Sequence, residues 1–291
     1  ERCANAEHHH DNERSSRPLQ TELAHPRRIL QPRSQVVIPN RNRRHRTRMD
    51  PNGKVALVTG AGRRVGRALA LALGDAGCRV AVHYGQSEKD AQETATIIQS
   101  MGSEAITFQA DLDDPSQVAA LAASVEEQLG PIEILVNNAS IFEKIGLGDV
   151  STENWDRHFA INVRAPFLLA QAMQSQLTTD SHGKIISLND WRTARPTRFA
   201  YGITKTALSG LTRTLALSMA PHVQANEISL GAILPPSDFP VDRPRDEIEI
   251  DLGPADRMGS LNEVADAMMM LIKNDFITGE TVNVDGGRHI Q

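Results

Sequence analysis

From Lys54 onward, short apolar segments rich in valine and isoleucine alternate with longer segments of helical periodicity. Such apolar runs are typical of strands buried on both faces, and helices between them return the chain for parallel pairing. The pattern predicts strands at 54–59, 79–84, 105–110, 132–137, 184–188, 224–229 and 281–285. It predicts helices at 63–76, 87–101, 115–129, 152–177, 200–220 and 261–273. We therefore expect an α/β fold with a single Rossmann-type, doubly wound parallel sheet of about seven strands and helices on both faces.

Two segments break this alternation. Residues 1–48 lack hydrophobic periodicity and are rich in Arg, Gln, Ser, Pro and His, which predicts a disordered basic leader before one folded domain at 49–291. The leader fits an over-extended start with Met49 as the true beginning, a transit peptide or a basic interaction arm. Residues 234–257 are rich in proline and acidic residues, and they predict either a substrate-side loop or a plain exposed linker.

Charge and composition exclude several classes of function. Residues 1–48 carry a net charge of +6 while the whole 291-residue chain carries −5, so the folded domain is acidic and is not expected to bind nucleic acid. The two cysteines, Cys3 and Cys78, suffice neither for a disulfide framework nor for a zinc site, so we expect no metal and a cytoplasmic location. No apolar run reaches the ~18 residues of a membrane span, so no membrane partner is expected.

The first predicted strand leads into the segment TGAGRRVGRALA, residues 59–70. A glycine-rich turn before a helix binds phosphate, because the glycines permit a tight turn and the free N–H groups at the helix start attract anions. The spacing G-x-G-x-x-x-G is one residue longer than the usual dinucleotide fingerprint. The residues predicted to surround the cofactor phosphates are Gly60, Gly62, Arg63, Arg64, Val65 and Gly66.

The end of the second strand indicates which dinucleotide binds. A carboxylate there would accept hydrogen bonds from the ribose of NAD, but this chain has His83, Tyr84 and Ser87 in that region. Without an acid to repel it, a 2′-phosphate would be bound by these residues and by Arg63, so NADPH is the predicted cofactor. Alternatively, Arg63 is a solvated residue at the helix start, although a cation there opposes the helix dipole unless an anion compensates.

Tyr201 and Lys205 are four residues apart in a predicted helix and therefore lie on one face. A lysine ammonium beside a phenol favours the phenolate, so we expect the pKa of Tyr201 to fall below its usual value of about 10. The pair would then act as a general acid with an assisting cation. The spacing alone is common by chance and carries weight only together with the other motifs.

The motifs of the chain, taken in sequence order, resemble those of the short-chain dehydrogenase/reductase family across residues 53–291. The resemblance implies that this part of the chain is a single NADP-binding domain. The matching segments are Thr59-Gly60 with Gly66, Asp111-Leu112, Asn137-Asn138-Ala139, Asn162, Tyr201 with Lys205, and TGETVNVDGG at 278–287. The resemblance implies that Tyr201 donates a proton and that Lys205 binds the nicotinamide ribose. It implies that Asn162 holds a water linked to Lys205, although a buried amide tying two elements together also fits that position.

The same resemblance assigns further cofactor contacts and an assembly. Asp111 and Leu112 would flank the adenine, and Asn138 and Ala139 would lie along the cofactor's ribose. The family implies a homotetramer acting on a small-molecule substrate. The predicted helix 200–220 fits that assembly, because it presents more apolar surface than one sheet face needs, at Ala207, Leu208, Leu211, Leu215 and Leu217.

Asp190 is the main departure from the family pattern. Most of these reductases carry a serine there to orient a carbonyl, and Ser187, three residues earlier within the predicted strand, is a poor substitute. A carboxyl group beside Tyr201 can relay a proton to a ring nitrogen or bind the amino group of a nitrogen heterocycle, which favours a C=N substrate. Asp190 resembles the pteridine reductase and dihydromonapterin reductase branch of the family.

That branch implies three substrate contacts besides Asp190 and Tyr201. Arg64 would reach both the pyrophosphate and the pterin, and Ser140 would contact both the cofactor and the substrate. Phe142 would stack on the pterin ring. Phe142 also fits a plain core aromatic. The predicted function is NADPH-dependent reduction of a dihydropterin or dihydrofolate. The alternatives are a carbonyl reductase such as a 3-oxoacyl-carrier-protein reductase, and a non-catalytic NADP-binding regulator.

Overall fold

The computed structural model describes residues 48–235 and 252–290. Its strands form one parallel sheet in the order β3-β2-β1-β4-β5-β6-β7. The strands are β1 Val55–Val58, β2 Arg79–Tyr84, β3 Ala105–Gln109, β4 Ile134–Asn137, β5 Gly183–Asp190, β6 Val223–Leu230 and β7 Thr281–Val284. The predicted doubly wound parallel sheet is confirmed. Nearly all of the predicted leader and most of the segment 234–257 lie outside the described residues.

The helices follow the predicted periodicity with one exception. They are α1 Arg64–Asp75, α2 Glu88–Ser100, α3 Pro115–Leu129, α4 Thr152–Phe159, α5 Ala165–Gln176, α6 Phe199–Ser218 and α7 Leu261–Lys273. A single helix was predicted at 152–177, but a π-helical turn, Ala160–Arg164, separates α4 from α5. Local capping sets several of the ends. Asp114, for example, precedes Pro115 and accepts a hydrogen bond from the Ser116 N–H at 2.8 Å, which starts α3 where the sequence predicts it.

Helices cover both faces of the sheet. One hydrophobic cluster packs α1, α2 and α7 on one face, and a second packs α3, α5 and α6 on the other. Residues of β1 contribute to both clusters and are at most 2% exposed, which explains why the strand reads as a continuous apolar run. None of the helices within the described ranges has the length and apolarity needed to cross a bilayer.

The strand order reverses beside β1, and this reversal positions the site. From β1 the chain proceeds outward to β2 and β3, then returns to β4 on the other side, which opens a crevice at the carboxyl ends of β1 and β4. The Thr59 hydroxyl joins these ends. It donates to the Val136 carbonyl at 3.2 Å and accepts from the Asn138 and Ala139 N–H groups at 2.9 and 3.0 Å. The hydrogen bonds hold the loops after both strands at a fixed separation.

Candidate active site

The glycine loop after β1 is closely packed against the end of β4. Gly60 has φ +64°, in the left-handed region that favours glycine, and its carbonyl accepts from the Asn138 side-chain amide at 3.1 Å. A Cβ on Gly66, in the first turn of α1, would overlap both the Gly60 carbonyl oxygen and the Asn138 Nδ2 atom. The first turn of α1 therefore lies directly beneath the loop, in the arrangement that phosphate binding requires.

The two arginines of this loop point to different neighbours. The side chain of Arg63 is 68% exposed, and its Nε lies 3.5 Å from Asp90 in α2. Arg64 has φ +55°, a conformation that costs a non-glycine residue about 1–2 kcal/mol, and its Nη2 donates to the Pro235 carbonyl at 2.6 Å. The Arg63 side chain therefore contacts α2, and the Arg64 side chain contacts the segment that follows β6. The sequence predicts such a division, but the ligand contacts of each arginine stay predictions.

His83 anchors the glycine loop. Its side chain is buried, Nδ1 accepts from the Gly60 N–H at 3.0 Å, and Nε2 lies 3.1 Å from the Ala110 carbonyl. Burial lowers the pKa of the imidazole to about 4, so the ring is neutral at physiological pH. His83 thereby holds the glycine loop against β2 and the end of β3. Both ring nitrogens are used within the protein, and the predicted contact of His83 with a 2′-phosphate stays a prediction.

The two other residues predicted in this region differ in position. Tyr84 is buried in the hydrophobic cluster that packs α1 and α2, which also contains Ala61 of the glycine loop. Ser87 stands immediately before α2, and a Cβ placed on Gly62 would lie 3.0 Å from its hydroxyl oxygen. Ser87 therefore lies close to Gly62 of the glycine loop.

A crevice of about 440 Å³ lies beside the glycine loop, at the carboxyl ends of the strands. Several predicted cofactor residues line it together, namely Gly60, Asp111, Leu112, Ala139 and Ser140. Gln86, Arg157 and Ile161 line it as well, and the sequence analysis assigned them no cofactor contact. The amide of Asn138 is directed elsewhere, since it donates to the Thr59 and Gly60 carbonyls and fixes the loop.

Tyr201 and Lys205 lie on one buried face of α6, and Tyr201 faces the end of β5. The Tyr201 hydroxyl donates to Asp190 Oδ2 at 3.0 Å. Burial raises the pKa of Tyr201 well above its usual value, and the negative charge of Asp190 raises it further. The predicted lowering of this pKa is therefore wrong. The Lys205 ammonium lies 5.6 Å from the centre of the Tyr201 ring and donates to the Leu188 carbonyl at 2.8 Å.

Arg195 belongs to the site and was missed by the sequence analysis. Its Nη2 contacts both carboxylate oxygens of Asp190, at 2.7 and 2.9 Å, while the Arg192 N–H donates to Oδ1 at 2.9 Å. The Asp190 carboxyl group is therefore fixed in orientation, with one oxygen directed at Tyr201. A signal was available in the sequence, because Arg192, Arg195 and Arg198 recur every third residue between Asp190 and Tyr201.

Phe142 forms a wall beside Tyr201. The two rings meet edge to face with centroids 4.5 Å apart, and the Arg198 guanidinium lies 3.6 Å from the centre of the Phe142 ring. Phe142 is half-buried and belongs to neither hydrophobic cluster, which argues against its interpretation as a core aromatic. Ser140 is exposed two residues earlier on the same loop. The structure thus brings Phe142, Tyr201 and Asp190 together, as the sequence predicts.

Asn162 and Ser187 are both occupied by internal hydrogen bonds. Asn162 lies in the π-helical turn, accepts from the Ile141 N–H at 3.0 Å and donates to the Thr204 hydroxyl at 3.0 Å, so its amide does tie separate elements together. Its predicted water link to Lys205 stays a prediction. Ser187 is 1% exposed and accepts from the Thr212 hydroxyl at 3.2 Å. Ser187 therefore lies below the site and does not replace the serine that most of the family carries near the tyrosine.

The reversed sheet, the glycine loop and the buried Tyr201–Lys205 face define a nucleotide-dependent oxidoreductase of the Rossmann class. The family model described as enoyl-(acyl carrier protein) reductase matches residues 60–289. A short-chain type dehydrogenase/reductase from Picea abies is 32% identical over 253 residues, covering 81% of this chain and 92% of the relative. The chain belongs to the short-chain dehydrogenase/reductase family.

Other relatives and solved structures are similar over nearly their whole length. A 3-oxoacyl-(acyl-carrier-protein) reductase from Staphylococcus aureus is 31% identical, with 81% of this chain and 98% of the relative covered. The structure of FolM alternative dihydrofolate reductase 1 from Brucella canis, complexed with NADP, is 34% identical with a TM-score of 0.77. That comparison covers 83% of this chain and 96% of the other. A blue fluorescent protein from a metagenomic library, in complex with NADPH, is 33% identical with a TM-score of 0.75, covering 82% and 99%.

Proposed function

We propose that the protein reduces a C=N bond of a pteridine, a dihydropterin or dihydrofolate, with NADPH. The observation that carries the proposal is the Asp190 carboxylate, 3.0 Å from the Tyr201 hydroxyl, at a position where no serine hydroxyl is available. A carboxylate held by Arg195 accepts hydrogen bonds from the amino group and ring N–H of a pterin, whereas a ketone oxygen would be repelled. The nearby face of Phe142 offers a flat heterocycle a stacking partner.

The residues fit a bound dinucleotide. Gly66 leaves the loop backbone free to approach a pyrophosphate, and the crevice lined by Asp111 and Leu112 has room for an adenosine. NADPH supplies the hydride when it is bound. The residues predicted to hold it are Gly60, Gly62, Arg63, Arg64, Val65, Gly66, His83, Tyr84, Ser87, Asp111, Leu112, Asn138, Ala139, Ser140, Tyr201 and Lys205.

In this mechanism the side chains supply the proton and orient the substrate. The raised pKa of Tyr201 keeps its hydroxyl protonated until a substrate nitrogen gains the electron pair of the C=N bond. The proton then passes from the Tyr201 oxygen to that nitrogen, which balances the hydride added to carbon. Lys205, whose ammonium lies 5.6 Å from the centre of the Tyr201 ring, stabilises the phenolate that remains.

The assembly we propose is a homotetramer, supported by Phe167 of α5 and by Ile203 and Leu217 of α6, which expose large apolar side chains.

A carbonyl reductase is the second candidate, favoured by the similarity to the reductase from Staphylococcus aureus. Oxidation of NADPH, followed by absorbance with dihydrobiopterin, dihydrofolate and a panel of ketones, separates the two. For a pteridine reductase, Asp190→Ser is expected to lower kcat/KM for the pterin by about a hundredfold, because a charged hydrogen bond and the orientation of Tyr201 are both lost. A ketone reductase would gain or keep turnover with Asp190→Ser, and no oxidation with any compound would exclude both enzymes.

Arg63 is expected to decide between NADPH and NADH. Arg63→Ala should lower the preference for NADPH by roughly tenfold to a hundredfold, since a charged hydrogen bond to the 2′-phosphate contributes about 1.5–3 kcal/mol. The measurement is kcat/KM for each dinucleotide at fixed substrate. Arg67→Ala is the matched control, because Arg67 lies four residues further along, in α1, and pairs with Glu93. Equal losses with both dinucleotides would show that Arg63 does not contact the 2′-phosphate.

A further inference from the structure

Glu227 is a buried acid that the proposed mechanism does not use. It lies in the middle of β6, in register with Ser187 of β5 and Thr281 of β7, and is 3% exposed. A carboxylate in such a position is costly unless its oxygens are hydrogen-bonded, because burial removes the water that stabilises the charge. Its presence in an otherwise uncharged strand therefore requires a physical reason.

Neutral groups satisfy the Glu227 carboxylate. Oε2 accepts from the Asn189 side-chain amide at 2.8 Å, and Oε1 accepts from the hydroxyls of Ser209 and Thr281, each at 3.0 Å. All three donors are neutral, so none of them compensates a negative charge on the carboxylate. In a buried environment of low dielectric constant such a charge acts on other ionisable groups over a longer distance than in water.

The same hydrogen bonds lead to Lys205. Tyr201, Lys205 and Ser209 follow one another at four-residue intervals along α6, so they form one polar stripe directed at the sheet. Ser209 contacts Glu227, and the Asn189 amide that bonds Glu227 also lies 3.0 Å from the Lys205 carbonyl. The acid therefore lies one helical turn beyond the lysine, at the inner end of the stripe whose outer end is Tyr201.

The Lys205 ammonium donates to the Leu188 carbonyl at 2.8 Å and lies 5.6 Å from the centre of the Tyr201 ring. Burial lowers the pKa of Lys205 to about 8, while the negative charges of Asp190, at the end of β5, and Glu227, in β6, raise it. Asp190 is already paired with Arg195, so its field is partly cancelled. Glu227, within the described residues, is bonded to neutral donors alone and has no such compensation.

We propose that Glu227 is a positioning residue whose buried negative charge keeps Lys205 in its ammonium form. Only the ammonium can stabilise a developing phenolate on Tyr201 and donate to cofactor hydroxyls with three N–H groups. The reaction consumes a proton, so its rate falls as pH rises through the pKa of Lys205. Removing the charge of Glu227 shifts that fall to lower pH without touching any group that contacts the reactants.

Glu227→Gln tests this, because glutamine keeps the shape and an acceptor oxygen but removes the charge. The high-pH fall of kcat/KM is expected to move down by about one pH unit, which corresponds to a loss of about tenfold above the wild-type pKa. The plateau of kcat/KM at lower pH should stay within about twofold of the wild-type value.

Ser209→Ala and Thr281→Val are the matched controls, since each removes one hydrogen bond to the carboxylate and leaves its charge. Glu227→Asp should restore the wild-type profile. A profile that moves equally in the controls would assign Glu227 a structural role only.

The kinetic arm rests on the proposed function, so a second arm measures Lys205 directly in the full chain. NMR of 13C-labelled lysine gives the pKa of the Lys205 side chain. The sequence has six lysines, so the signals are few, and the Lys205→Arg variant assigns the one from Lys205. A lower pKa in Glu227→Gln without pteridine turnover would refute the proposed function and leave this inference standing, whereas an unchanged pKa would overturn the inference. If Glu227→Gln does not fold, NMR of the Glu227 carboxyl carbon in the wild-type protein gives the protonation state of this group. A protonated carboxyl group at pH 7 would overturn the proposal.

Discussion

Replacing Tyr201 with phenylalanine is expected to lower kcat by about a thousandfold, within the range of 10²–10⁴ that a general acid contributes. The hydroxyl is the group that meets the Asp190 carboxylate, and its raised pKa means that it carries its proton throughout the neutral range. Phenylalanine keeps the edge-to-face contact with Phe142 but has no proton to donate. Burial of the ring is likewise retained, so the loss should appear in the chemical step rather than in folding.

Single-turnover reduction and NADPH affinity measured by fluorescence separate these effects in Tyr201→Phe. The rate of the chemical step should fall, whereas the dissociation constant of NADPH should change by less than about threefold, because the dinucleotide is held mainly by the glycine loop. Thr214→Val is the control on the same helix, since its hydroxyl bonds only the Gly210 carbonyl on an exposed face. A Tyr201→Phe enzyme that kept a tenth of the wild-type kcat would show that the proton comes from another group.

The fold was predictable because its main determinants are local. Continuous apolar runs predict buried parallel strands, and the bounds predicted for β2, α3 and α7 agree with the structure at both ends. The π-helical turn at 160–164 was not predicted, because the apolar periodicity continues through it and the insertion changes only the hydrogen bonding. That turn depends on the contacts of Asn162 with the loop after β4, and sequence periodicity does not encode such contacts.

The site was predictable as far as it depends on spacing along the chain. The four-residue interval of Tyr201 and Lys205 and the glycines after β1 could be identified in that way. The protonation states could not, because they depend on burial and on residues distant in sequence. Thus the pKa of Tyr201 rises instead of falling, and His83 is a neutral, buried ring. Arg195 and Glu227 were missed for the same reason, since each acquires its role only through a neighbour on another segment.

Gly66→Ala is expected to have a large effect for a single added methyl group. The new Cβ would overlap the Gly60 carbonyl and the Asn138 amide, and both belong to the rigid connection between β1 and β4. Neither neighbour is the free end of a flexible side chain, so the glycine loop and α1 must move apart. We expect the free energy of unfolding to fall by about 3 kcal/mol, which corresponds to roughly 6–12 °C in Tm. NADPH affinity should fall by more than about tenfold, because the loop that approaches the pyrophosphate is displaced.

Gly210→Ala provides the matched control, because Gly210 is also a helical glycine, in α6, and a Cβ there would meet no atom within 4 Å. Helix propensity alone favours alanine at both positions by up to about 1 kcal/mol, so Gly210→Ala should be slightly stabilised with unchanged NADPH affinity. Thermal unfolding and NADPH titration of both variants therefore separate packing from propensity. A Gly66→Ala protein as stable as Gly210→Ala would show that the loop after β1 can yield. The close contact between α1 and that loop would then not be what holds the phosphate-binding backbone in place.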